Sequence, residues 1–129
     1  MNCDGYIDAC KCISCSLTVN DLVFRGDTDM ATSGLVAAAL PGKDEVVIVA
    51  TTADEWNHYD KIAIAKRVNK TFNREGFVVL EKKMFKDDAG KEHYDPICTN
   101  CGNWQKEFAR LSLDEFVAKG GIIHELSAD

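Results

Sequence analysis

Apolar positions recur with two different periods along this chain, and each change of period marks an element. Residues 17–25, LTVNDLVFR, read as strand material, either one strand or a hairpin turning at Asn20-Asp21. The stretch 26–34, GDTDMATSG, has turn composition. The alanine-rich run after it predicts a helix over residues 31–40, stopped by Pro41-Gly42. EVVIVATT, residues 45–52, is a β-branched run suited to a strand buried on both faces. From Asp54 to Arg74 the period is helical: Ile64, Val68 and Phe72 recur four apart, Ala65 lies beside them, and Asp54 is placed to cap.

Gly76 predicts the end of that helix and FVVLEKKMF the start of a strand. A turn at Asp87-Asp88-Ala89-Gly90 returns the chain through residues 91–97 as a hairpin. Ser112 and Glu115 have capping-box spacing, so a short helix is expected to Lys119, closed by Gly120-Gly121 and followed by a last strand, IIHEL. The order strand, helix, strand, helix, hairpin, helix, strand predicts an α/β or α+β fold, a small sheet with helices and room for three-layer packing. Residues 1–129 carry no repeat, low-complexity tract or linker, which predicts a single domain.

Composition narrows the function classes. Hydrophobic residues make up 46% and charged ones 28%, a balance that argues against disorder. The net charge of −6 is spread along the chain, so nucleic-acid binding driven by overall charge is not expected, although a local basic face remains open. No run approaches the length of a membrane span, and MNCDGYIDAC carries Asp4 and Asp8 where an export signal would carry Lys or Arg. A cytoplasmic, reducing address is therefore expected, and there clustered cysteines are more often metal ligands than disulfides.

Five of the six cysteines fall in two short stretches, CKCISC at 10–15 and ICTNCG at 97–102. Zinc takes four thiolates at tetrahedral positions, and CxxC supplies two from one tight turn. Cys12 with Cys15 and Cys98 with Cys101 each fit such a knuckle, and Gly102 suits the positive φ that the turn needs. Cys10 is a third candidate in the first stretch and could replace Cys12; Cys3 stands apart. Two pairs plus Cys10 point to coordination rather than to a one-pair redox site. Four thiolates also leave no open position for water, so the zinc expected here is structural. The pattern resembles a zinc ribbon whose halves are separated by residues 16–97, and that resemblance speaks to metal rather than to activity.

The acidic turn offers a different chemistry. Asp27 and Asp29 follow an apolar strand, where α/β folds place magnesium and phosphate sites. DTDMATSGLVAAAL resembles the first acidic motif of the DHH phosphoesterases and, less closely, the DxD of Toprim domains. The GDTD turn with the run through EVVIVATTADEW is similar to nuclease domains of the NYN and PIN class. That resemblance implies magnesium or manganese held by Asp27 and Asp29, with Asp54 and Asp60 assisting as catalytic residues. Met30 departs from the families' pattern, and no histidine precedes Asp27 as the DHH pattern wants. The plainer reading is an acidic turn with Asp29 capping the next helix.

At 100° per residue, Lys66, Arg67, Lys70 and Arg74 share one quarter of the 54–74 helix, opposite Ile64, Val68 and Phe72. Four cations together could bind a phosphate backbone or an acidic partner, and a solvated helix face has the same composition. His58, His93 and His124 belong to no motif; His58, beside Asp60, could act as a general base. No nucleophile elbow, P-loop, HExxH or GxGxxG is present. The ending LSLDEFVAKGGIIHEL is similar to the last residues of many small bacteriophage proteins. The leading expectation is a zinc-stabilised binding or regulatory protein, a bacteriophage accessory factor in the host cytoplasm, contacting nucleic acid or a host protein through the basic face. The alternative is a divalent-metal-dependent phosphoesterase or nuclease.

Overall fold

The computed structural model describes residues 4–25 and 34–128. Its architecture is α+β. Strands β1 (Gly5–Cys12), β2 (Thr18–Phe24) and β7 (Gln105–Ser112) form one antiparallel sheet in the order β2-β1-β7. Strands β3 (Leu35–Ala39), β4 (Glu45–Ala50) and β8 (Ile122–Leu126) form a second in the order β3-β4-β8, in which β4 runs antiparallel to β3 and parallel to β8. Strands β5 (Lys82–Lys86) and β6 (Glu92–Pro96) make a hairpin. Helices α1 (Ala53–Asn57) and α2 (Lys61–Thr71) follow β4, and α3 (Leu113–Ala118) follows β7.

Strand β4 is buried on both faces, as its β-branched run predicts, because a different layer covers each. Val46 and Ile48 pack with Leu35 and Ala39 against Ile7 and Leu22 of the first sheet, around Phe116. Val47 and Val49 face the other way and meet Ile64 and Val68 of α2 together with Phe77. The stack is thus sheet, sheet, helix.

Several expectations are corrected. Residues 35–39 of the alanine-rich run are strand β3, not helix (31–33 lie outside the described residues). Alanine's helix propensity is a weak preference, and Leu35–Ala39 is enclosed by two layers, where small side chains let the sheets approach. Asn20-Asp21 is not a turn: both residues lie inside β2, opposite Ala9 and Asp8. The helix over 54–74 is two helices. Thr52, not Asp54, caps α1 through a capping box with Glu55; the helix stops at His58; Asp60 then caps α2 by accepting from the N–H groups of Ile62 and Ala63. The apolar stripe begins only at Ile64 and α1 buries no residue, so nothing holds one continuous axis. In FVVLEKKMF only Val78 bridges to Ala39 before the strand proper starts at Lys82.

The hairpin through 91–97, the capping box of Ser112 with Glu115 and the final edge strand stand where the pattern puts them. Strands β1 (GYIDACKC) and β7 (QKEFARLS), whose apolar pattern is broken by charged residues, position the cysteines.

Candidate metal centre

Each cysteine pair sits at the tip of a β-turn. The first knuckle joins β1 to β2, and the second lies between the Ile97–Trp104 bridge, linking β6 to β7. The two are built by the same bonds. Cys12 N–H donates to Leu17 C=O at 2.9 Å and Cys98 N–H to Asn103 C=O at 2.7 Å. Ser16 N–H reaches Cys12 C=O at 3.3 Å, and Gly102 N–H reaches Cys98 C=O at 2.9 Å. The residue after the second cysteine has a positive φ in both, 64° at Ser16 and 77° at Gly102. N–H groups of Ser14 and Asn100 point at the Cys12 and Cys98 sulfurs at 3.4 Å.

Pairing of β1 with β7 then brings the tips together. Cys12 lies opposite Gln105, and Ile13 N–H donates to Trp104 C=O at 3.0 Å, so the second knuckle is laid beside the first. All four sulfurs of Cys12, Cys15, Cys98 and Cys101 lie within 4.8 Å of one another. Cys12 and Cys101 sulfurs are 3.4 Å apart, and those of Cys15 and Cys98 3.6 Å. A disulfide needs about 2.05 Å, whereas zinc with four Zn–S bonds of about 2.3 Å sets tetrahedral sulfurs about 3.8 Å apart. The first cysteine of each pair is buried and the second exposed. The cluster therefore fits a tetrahedral thiophilic ion at the rim of the fold, with no space left for a substrate water.

Electrostatics agree with that geometry. The backbone amide of Leu17, then the Asn100 side chain, hold Cys15 down to about 6. Burial opposes ionisation of Cys12, but the N–H groups of Cys15 and Ser14 bring it below its ordinary value. At Cys101 the Asn103 amide favours the thiolate, yet Cys12, burial, Cys15 and Cys98 together push it up to about 11. Thiols this close cannot all ionise against one another, and a bound dication removes the conflict.

Cys10 is not a member. Its thiol is fully buried, donates to the Asp8 carbonyl at 3.4 Å and is held in its protonated form by burial and by Asp21. Cys3 lies outside the described residues, as do Asp27 and Asp29. Asp54 is exposed in the first turn of α1, and one carboxylate oxygen of Asp60 is engaged in its cap. Among the described residues no other group of His, Cys, Asp or Glu gathers closely enough to share an ion.

The four basic residues divide. Arg67 makes paired 2.8 Å bonds to Glu55 and also reaches the carbonyls of Ala50 and Ser127, so it ties α1, α2, β4 and the C-terminal segment together. Arg74 lies beyond the end of α2 and pairs with Glu45, which also holds His124. Lys66 and Lys70 stay exposed and form no ion pair among the described residues. His58 is the exposed C-cap of α1, and His93 pairs with Asp87. Among the described residues no helix is long and apolar enough to cross a membrane.

Three buried carboxylates, Asp8, Asp21 and Asp95, form with their partners a polar layer that the apolar pattern does not mark. Asp8 and Asp21 face each other across β1 and β2, Lys82 reaches Asp21 at 2.8 Å, Arg110 reaches Asp8 at 2.9 Å, and Trp104 Nε1 donates to Asp95 at 2.8 Å. The alternation YIDACKC was the available signal, masked by its charges. Comparison of the chain with protein-family models, curated proteins and solved structures yields no match.

Proposed function

We propose that the chain is a zinc-stapled binding or regulatory protein, with Cys12, Cys15, Cys98 and Cys101 as structural ligands and no chemistry at the metal. The observation that carries it is the convergence of four cysteine sulfurs within 4.8 Å from two knuckles built by equivalent bonds. Such a centre stabilises a fold with a divided core and leaves a surface to do the work. The contact surface is the exposed side of α2 carrying Lys66 and Lys70, and its target is nucleic acid or a protein. Attribution to a bacteriophage accessory factor draws on the LSLDEFVAKGGIIHEL ending alone.

Elemental analysis tests the staple. One zinc per chain is expected, lost in Cys98→Ser and retained in Cys10→Ala. A metal-free protein whose thiols all react freely under native conditions would sink the reading.

A further inference from the structure

Beside the metal centre two walls of different origin face each other. On one side α2 presents Ile62, Ala65 and Lys66; on the other stand Val79, Ile97 and Cys98. Between them runs an open groove of about 510 Å³, within the size range of ligand and peptide sites. Ile62, Ala65, Val78, Val79 and Ile97 give it an apolar floor, and Ile62 leaves 70% of its surface to solvent at the mouth. The groove continues past Ile62 into a second cleft beside Tyr59, itself 46% exposed. An apolar strip of this extent, on a face the fold does not cover, marks a contact site.

Charge selects the occupant. The chain carries −6 overall, yet among the charged residues lining this groove Lys61 and Lys66 outnumber Glu81, and Lys70 follows Lys66 on the same helix. Lys66 and Lys70 lie one helical turn apart, so they repel each other, and no carboxylate of the described residues pairs with either. Lys61 crosses the mouth to Glu81 at 2.8 Å, a solvent-exposed pair that an incoming carboxylate can replace at little cost. No aromatic ring lines the groove itself, and the tyrosine of the adjoining cleft, Tyr59, has the Lys61 ammonium 5.9 Å from its centroid. A single phenol ring is not the succession of platforms on which single-stranded nucleic acid stacks. Asn69, with both ends of its amide bonded to the Phe77 backbone at 3.0 Å, holds α2 at fixed distance from the facing segment.

We propose that this groove docks a short acidic peptide segment of a partner protein, seating an aliphatic side chain between Ala65 and Val79 and setting carboxylates against Lys66 and Lys70. This deepens the binding-protein reading above and rests on it. Cys98 is itself one of the lining residues, between Ile97 and Thr99, so the metal centre sets the position of one wall.

Panning a random peptide library against the full chain tests the idea, with single-stranded oligothymidylate titrated in parallel and zinc content measured on the same sample. Peptides enriched for an aliphatic residue flanked by Asp or Glu are expected. Their binding should be lost in Ala65→Trp, which fills the groove, and weakened at least about fivefold in Lys66→Glu, whose exposed position leaves the fold intact. No enrichment, or enriched peptides that bind both variants as well as the parent, overturns the proposal. Oligothymidylate binding that Lys66→Glu abolishes, without peptide enrichment, also overturns it while leaving the binding-protein reading in place. Zinc content reports on the staple separately from either result.

Discussion

Ser16 and Gly102 occupy the same place in two equivalent knuckles, but only one has the residue type that the backbone there favours. A positive φ costs an L-residue about 1 kcal/mol relative to glycine, and Ser16 bears that cost at φ 64°. Ser16→Gly should raise the stability of the zinc-loaded protein by about 0.5–1 kcal/mol. Gly102→Ala should lower it by about 1 kcal/mol, through the backbone alone, since nothing lies within 4 Å of an added Cβ. Denaturant unfolding of the two variants checks both signs; shifts in the same direction would show the knuckles are not equivalent. At the same scale, Glu107 is held above the usual carboxylate range by its hydrogen bond with Asp8 and then by burial. The folded protein therefore binds a proton more readily there than the unfolded chain. The resulting stability is full below the ordinary glutamate value and is lost as pH rises through the raised one. Glu107→Gln imitates the protonated form, so its stability relative to wild type should improve between acid and neutral pH. Parallel pH profiles for the two proteins would refute this.

Single side chains also decide how the helices are held. Helix α1 buries no residue and spans five positions, too few to persist by itself. What secures it is Arg67, side chain 23% exposed, reaching Glu55, side chain 11% exposed. The Arg67 hydrogen bond holds the Glu55 carboxyl below its usual range, with burial working against it. That stabilisation is present above the unfolded value and is lost as pH falls through the folded one. Arg67→Ala should cost about 2–3 kcal/mol and expose α1 to proteolysis, whereas Lys66→Ala, one residue earlier, should change stability by less than about 0.5 kcal/mol. Equal effects would show that Arg67 is as solvated as a helical wheel alone suggests. The wheel placed both residues on one polar face; it could not show that the neighbouring helix supplies a carboxylate to one of them.

Across the molecule, the cysteine cluster joins chain segments 83 residues apart at Cys15 and Cys98. Closing a loop of that length restricts the unfolded chain by about 4–5 kcal/mol on a loop-entropy estimate. Removal of zinc with a strong chelator should therefore lower the melting temperature and strip amide-exchange protection first from residues 12–17 and 97–104. Strands β3, β4 and β8 and helix α2, with their own core of Val47, Val49, Ile64, Val68 and Phe77, should keep theirs. Uniform loss of protection would mean that the two cores unfold as one unit.

How much of this was legible follows the range of the forces involved. The knuckles could be read because C-x-x-C and the turn after it are local: spacing alone sets where two sulfurs point. The capping box at Ser112, the β5–β6 hairpin and the doubly buried β4 were legible for the same reason. Other features depended on partners far along the chain. Strand β1 hides behind Asp8 and Lys11, and distant partners on β7, Arg110 by an ion pair and Glu107 by a hydrogen bond, make the Asp8 charge tolerable inside a sheet. Residues 35–39 favour a helix by composition and form a strand because layers on both sides need small, extended residues there. The sequence by itself determined two metal-binding half-sites, the hairpin that leads to the second of them, strand β4 and the capped helix after β7. Only the tertiary structure decided that β1 lies beside β7, which brings the half-sites to one point, excludes Cys10, and sets α2 against the second knuckle to leave a groove between them.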